Sequence, residues 1–344
     1  MNIKSLFLKS LLLSTFVSML FSTSVSYADD QDDKNSKDSQ INSWTSVTID
    51  NDIIVGGDGG YTNGLMISWY DVGVSDAVGP GGLVSPLAGL VTDSPLRNSV
   101  NIYTFGQTMS TPDDIEVEEY IPDDLPYTGL LYFSNTYLVV ADDFADDVSL
   151  TLGVIGPASL AKETQIAVHD ITGSDDPKGW GNQSSNEIVF QLKRGRTFRN
   201  WVSENDTFDF LSRAELGIGT IDTSLAASAT MRWGTSLENS FGSVPLQSSR
   251  VTNPLAFKES WYFYMEVGAN YRGYSVFLDG NTFADSNSVD YNNFTYGASI
   301  GFAYSWSNWS LTVAVADRDL GNDAFDTFET DYYKYGTVTL AWRG

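Results

Sequence analysis

Among 344 residues there is one histidine, and no cysteine. His169 stands in GVIGPASLAKETQIAVHDITGSDD, with Gln165 four positions upstream and Asp170, Asp175 and Asp176 downstream. Imidazole is the side chain that titrates near neutrality without help from its surroundings, so acid/base chemistry in this chain centres on His169. A general base of this kind needs a partner on its second ring nitrogen to fix the tautomer, and the Asp175 carboxylate is the candidate. A second block, TIDNDIIVGGDGGYTNG, offers Asn51, Asp52 and Thr62. These are oxygen donors, the type that calcium takes, and magnesium or manganese as well.

Two kinds of element must position these residues. Pro157 at a first turn and the glycine closing ASLAKETQIAVHDITG predict a helix, whose spacing of four puts Gln165 and His169 on one face. Around it the chain alternates with a period of two. Trp261, Phe263, Met265, Val267 and Ala269 interleave with Tyr262, Tyr264, Glu266, Gly268 and Asn270, and the same rhythm runs through Tyr296 to Trp306 and Trp309 to Val315. Ser307 and Asn308 join the last two runs as a hairpin turn. Such runs, rich in glycine and bordered by Trp and Tyr, match strands that cross a bilayer at a tilt. About twelve are counted: near 43–51, 61–71, 98–107, 128–140, 147–155, 184–195, 207–219, 222–234, 259–272, 291–306, 309–317 and 333–342. The fold class is therefore all-β, a transmembrane antiparallel β-barrel of twelve strands, with a short helix at the rim or over the lumen.

Lys4, Lys9, the apolar run Leu11 to Phe21 and the small-residue end at Ala28 read as a secretory signal peptide over 1–28. Residues 29–42 are an acidic, polar leader with little to bury, and 43–344 form the barrel domain. The formal charge of −25, and −27 without the two lysines of the signal segment, excludes a nucleic-acid partner that binds by releasing counterions. Absence of cysteine leaves pairing and packing to hold an exported fold. The end KYGTVTLAWRG has the form of a terminal barrel strand, with Arg343 and Gly344 following the aromatic Trp342.

Four blocks, TIDNDIIVGGDGGYTNGLMISW, PDDLPYTGLL, the stretch from Gly153 to Glu187 and FLDGNTFADSNSVD, together resemble the lipid A 3'-O-deacylases of the outer membrane and their relatives. The resemblance runs from about Trp44 to the C terminus. It implies a twelve-stranded barrel in the outer membrane of a Gram-negative bacterium, which hydrolyses the 3' ester of lipid A in lipopolysaccharide and depends on calcium. It implies that His169 is the catalytic histidine and Gln165 its upstream glutamine, that Asn51 and Asp52 are the Asn-Asp pair, and that Thr62 is the site threonine. Two positions differ from the family pattern. Asp175 stands where a glutamate is usual, and TMSTPDDIEVEEYIPDD lacks the lysine expected between strands three and four.

Other readings of the same residues stand beside these. Asp52 fits a turn, Thr62 fits a lumen-lining position, and the PDD clusters at 112–114 and 122–124 fit solvated loops. Trp180, Gln183 and Glu187 fit packing and hydrogen bonding at the rim. A barrel of this family with a degraded site, acting as a channel or structural protein, is the alternative to an enzyme. A serine-dependent phospholipase is a third reading, although no GxSxG turn marks a nucleophile. Oligomeric state is not written in the sequence.

Overall fold

A computed structural model describes residues 41–51, 60–91, 95–243, 259–317 and 334–344. The expected signal segment, most of the leader and Asp52 lie outside the described residues. Twelve strands form a closed antiparallel barrel: β1 (Ile41–Asn51), β2 (Gly60–Val74), β3 (Asn98–Thr111), β4 (Thr128–Val140), β5 (Phe144–Ile155), β6 (Glu187–Val202), β7 (Phe208–Gly219), β8 (Asp222–Gly234), β9 (Ser260–Ser275), β10 (Phe294–Trp306), β11 (Trp309–Asp317) and β12 (Lys334–Arg343). Each pairs with its sequence neighbours, and β1 closes on β12 from Trp44↔Arg343 to Asn51↔Gly336. The predicted strands are all found. β1 starts two residues earlier than expected, at Ile41.

The two-residue alternation sorts an outer from an inner face. On β9, Phe263, Met265 and Val267 are about half exposed on the outside, while Tyr262, Tyr264 and Glu266 are buried inside. An apolar exterior of this kind is stable only against lipid. Both termini and the short turns at 141–143, 203–207 and 307–308 mark the periplasmic end. Near that end the exterior carries an aromatic girdle, with Phe208 stacked on Trp233, Trp233 edge-on to Trp261, and Trp309 beside Trp342.

The interior is filled. Trp44, Tyr70, Val100, Leu138, Leu211 and Tyr262 meet across the barrel, joined by Leu237 and Phe241 from the β8–β9 connection. Beside them lie paired charges. Arg232 donates to Asp209 at 2.6 Å, both fully buried, and Arg213 bridges Asp147 and Glu215. Charges in a low-dielectric lumen persist because each has its counter-ion and hydrogen bonds.

Among the described residues one α-helix interrupts the strands, α1 (Ala161–Thr172), preceded by a 3-10 turn at Pro157–Ser159. Gly173 ends it in the left-handed region at φ 83°, its N–H donating to the His169 carbonyl at 2.7 Å. A residue with a Cβ would be strained there, which is why glycine closes the helix.

Candidate active site on the outer wall

The position of α1 follows from strand phase. Phe105 on β3 and Phe133 on β4 are exposed outward, so Gln107, Met109 and Gly129, each an even number of residues away, share that outer face. Gln107 donates from Nε2 to the Ser159 carbonyl at 2.6 Å. Gly129 lies against the helix start, and a Cβ on it would collide with Ala161 Cβ and Ser159 Oγ. The helix is therefore clamped to the lipid-facing wall of β3 and β4 at the extracellular end. Of the two expected positions, rim and lumen, it takes the rim, and on the outside.

Gln165 and His169 share the buried face of α1, as their spacing requires. Gln165 Oε1 accepts a hydrogen bond from Trp180 Nε1 at 2.7 Å. An indole N–H only donates, so the amide oxygen must face Trp180 and Nε2 must point the other way as a donor. That Nε2 is buried and has no hydrogen-bond partner among the described residues. Trp180 is fixed in turn by Met109, Tyr127 and Ala161, with the Tyr127 ring 4.9 Å away. Burial pushes the Tyr127 phenol up to about 12. It stays protonated and donates to the Ile115 carbonyl at 3.1 Å.

His169 Nδ1 lies 2.5 Å from the backbone carbonyl of Asp175. This corrects the expectation that the carboxylate of Asp175 orients the ring. A carbonyl only accepts, so Nδ1 carries the proton and Nε2 is the basic nitrogen. The contact places Asp175 beside His169 as predicted, through the main chain rather than the side chain.

The second block reaches the same face. Asn51 pairs with Asn63, Asn63 with Met109, and Met109 with Gly129, one register row across β1 to β4. Asn51 has the outward phase of exposed Ile49, and Asn63 that of exposed Leu65. With strands ~4.8 Å apart, Asn51 lies ~10 Å along the row from Met109. Thr62 stands in β2 at the register irregularity between Gly60 and Asn63. No group of three or more His, Asp or Glu among the described residues is arranged to hold a metal ion.

The expected strand ended at 107, short of Met109, and Gln107 within it was given no role, although the outward run Phe105, Gln107, Met109 continues the alternation. Tyr127 was also missed. Trp180 and Gln183 do pack and hydrogen-bond at the rim, Gln183 Nε2 donating to the Trp180 carbonyl at 3.1 Å. Glu187, at the head of β6, accepts from Asn281, Thr282 and Phe283 of the β9–β10 connection. Asp124, expected to be solvated, is buried and caps the N–H of Asp113 at 3.0 Å. Lys178, between Asp175 and Trp180, pairs with Glu116 at 3.2 Å.

The profile of the family described as outer membrane protein LpxR matches residues 11–343, nearly the whole chain. The chain belongs to the LpxR family of outer membrane proteins. Among solved structures it is similar to LpxR from Salmonella typhimurium, with a TM-score of 0.67 at 14% identity, over 87% of this chain and 99% of that one. The β domain of the Bordetella autotransporter BrkA (TM-score 0.39, 7% identity, 88% and 98% covered) and the KdgM porin (0.35, 6%, 87% and 98%) are more distant barrels. No curated protein matches. Family membership and the closed barrel place this LpxR-family chain in the outer membrane of a Gram-negative bacterium, as its exterior requires.

Proposed function

We propose that this protein hydrolyses the ester that links an acyl chain to the 3' position of lipid A, with His169 as general base on a water molecule. The observation that carries the reading is the Nδ1–H tautomer of His169, set by the Asp175 carbonyl on a wall that faces lipid. Nε2 is then the atom that takes the proton as the water oxygen attacks the ester carbonyl. The imidazolium so formed lies in the last turn of α1, where the helix dipole favours a cation. Gln165 Nε2, aimed by Trp180, is a donor for an oxygen of the substrate or of the water. Lipopolysaccharide reaches these groups sideways from the outer leaflet, because the helix lies on the outside of the barrel.

Calcium is part of the reading. Asn51 and Asn63 stand in register on the face that carries α1, and Asp52 and Thr62 are next to them in the chain, residues whose side-chain oxygens suit a hard cation. When bound there, the ion would supply positive charge for the developing oxyanion. A hydrolytic water rather than a serine fits the surroundings of the helix, since Ser159 Oγ donates to the Gly156 carbonyl and Ser184 Oγ is paired with Thr128.

The test is mass spectrometry of lipid A incubated with the detergent-folded protein, in calcium and in chelator, beside His169→Ala. Loss of the 3'-linked group that needs both calcium and His169 is expected. Intact lipid A across several lipid A forms, with a folded barrel, would refute the reading and leave the non-catalytic barrel.

A further inference from the structure

Between Asp76 and Asp93 the chain has no charged residue, only AVGPGGLVSPLAGLVT. This β2–β3 connection does not hang below the barrel. The Val78 N–H donates to Ser99 Oγ at 3.0 Å, the Gly81 N–H to Asn101 Oδ1 at 2.9 Å, and the Val84 N–H to Asn135 Oδ1 at 3.3 Å. Asn135 in turn donates to Asn101 at 2.8 Å. Ser99, Asn101 and Asn135 have the outward phase of Phe105 and Phe133, so the connection climbs the outside of β3 and β4. Val84 and Val91 bury themselves there against Tyr137, Val139 and Val148. The wall residues thus cap three amides of the strap, and the N–H groups of Ser85, Leu87 and Val91 bond within the strap to Gly81, Val84 and Ala88, which lowers the cost of irregular backbone at membrane depth.

The height of the strap can be worked from the register. Its top meets Asn135, which is opposite Tyr103, six residues below Met109 of the candidate site. Six residues at ~3.4 Å are ~20 Å along the strand, or ~15 Å along the membrane normal at a tilt of ~40°. That is half of a hydrocarbon core of ~30 Å, one leaflet. The lower edge agrees. Arg194 donates from Nε to the Leu90 carbonyl, and Arg194 and Arg196 both bind Asp146, which is level with Val139, four residues below Asn135. Arg196 also lies over the rings of Phe144 and Phe198. Outward charges among aromatic rings belong at the border of the leaflet, within snorkelling reach of the headgroups. Between strap and α1 the bare wall exposes Leu65, Phe105, Phe133 and Leu152.

We propose that residues 78–91 occupy the periplasmic leaflet and form a floor at the bilayer mid-plane for the acyl chains of a lipid bound at the α1 site. The proposal rests on lipid A being that lipid, and it assigns the strap a role in selecting chain length. Chains up to one leaflet long lie along Phe105 and Phe133; longer ones meet the strap.

The absence of native cysteine allows a single label. Gly82 is exposed near the strap top, where a Cβ would meet nothing within 4 Å, and Glu204 is exposed in a periplasmic turn. Gly82→Cys and Glu204→Cys, each in the His169→Ala background, carry an environment-sensitive fluorophore in bilayers containing lipid A brominated at the acyl ends. Long palmitoyl chains are expected to quench the label at 82 several-fold more than short lauroyl chains, and neither should quench at 204. A label at 82 open to an aqueous quencher, or quenching there that ignores chain length, would overturn the floor. The readout is binding, so intact lipid A in the separate hydrolysis assay would refute the catalytic reading without deciding this one.

Discussion

The contact between His169 and the main chain of Asp175 makes a prediction opposite to the one that residue types suggest. If a carboxylate oriented the imidazole, Asp175→Asn would disturb the acid/base step, whose worth is about 10²- to 10⁴-fold in rate. With the carbonyl as the partner, Asp175→Asn and Asp175→Ala both keep the acceptor 2.5 Å from Nδ1. The initial rate of lipid A deacylation, followed by mass spectrometry, is then expected to stay within about threefold of the parent, below ~0.7 kcal/mol in the barrier. The backbone is the sensitive point. Gly173→Ala forces a Cβ into φ 83° at the end of α1, a cost of about 1–2 kcal/mol that is relieved by shifting the turn that carries the Asp175 carbonyl. A loss of about tenfold or more is expected for it. A folded Asp175→Asn protein that loses a hundredfold, beside an active Gly173→Ala, would refute the argument.

Other outcomes follow from the same geometry. Gly129→Leu drives a side chain into Ala161 and Ser159, and should abolish hydrolysis while the barrel keeps its heat-modifiable migration in electrophoresis. Trp180→Phe leaves the Gln165 oxygen buried without its donor, a penalty of about 1–3 kcal/mol, and should lower turnover by about tenfold or more with little change in KM. Arg232→Met removes one of the two guanidinium partners of the buried Asp209, the other being Arg199 at 2.8 Å, and should destabilise the barrel in denaturant unfolding by less than the about 3–5 kcal/mol of a fully broken buried pair. The Tyr127 phenol is raised to about 12 in the folded protein, so the unfolded chain releases its proton first as pH rises past 10. Stability contributed by this group is thus complete below about pH 10 and falls towards pH 12, a slope that Tyr127→Phe should reduce in pH-dependent unfolding.

The strands were legible because period two survives any tertiary context in which one face meets lipid. Helix α1 was legible because Gly173 closes a four-residue spacing, an end signal that does not depend on partners, whereas its start was misplaced: Pro157 opens a separate 3-10 turn, and Leu160 in the left-handed region divides it from the helix, which begins at Ala161. The side of the wall the helix takes was not legible. That depends on Gly129 and Gln107, two unremarkable residues whose meaning appears only with the register. The Asp175 contact could not be read from side-chain types, since every residue has a carbonyl. The strap was equally opaque: AVGPGGLVSPLAGLV has neither period, and its fit depends on Asn101 and Asn135, which taken alone look like interruptions of two strands. Register also explains why Asn51, thirteen residues before Gly64 and more than a hundred before His169, belongs to the same face: β1, β2 and β3 align it in one row with Met109.

A helix clamped to the outside of a barrel changes what concentration means for this protein. On the proposed hydrolysis, substrate and product would share a two-dimensional phase with the catalyst, so turnover would follow the mole fraction of substrate in the outer leaflet and the ease of lateral exchange, while dilution of the cells would leave it unchanged. Divalent cations that bind neighbouring headgroups together slow that exchange, and an ion that serves the site at low occupancy would, at higher levels, hold its substrate in place. Rate measured against calcium should then rise, pass through a maximum and fall, and the position of the maximum would report on the membrane as much as on the site.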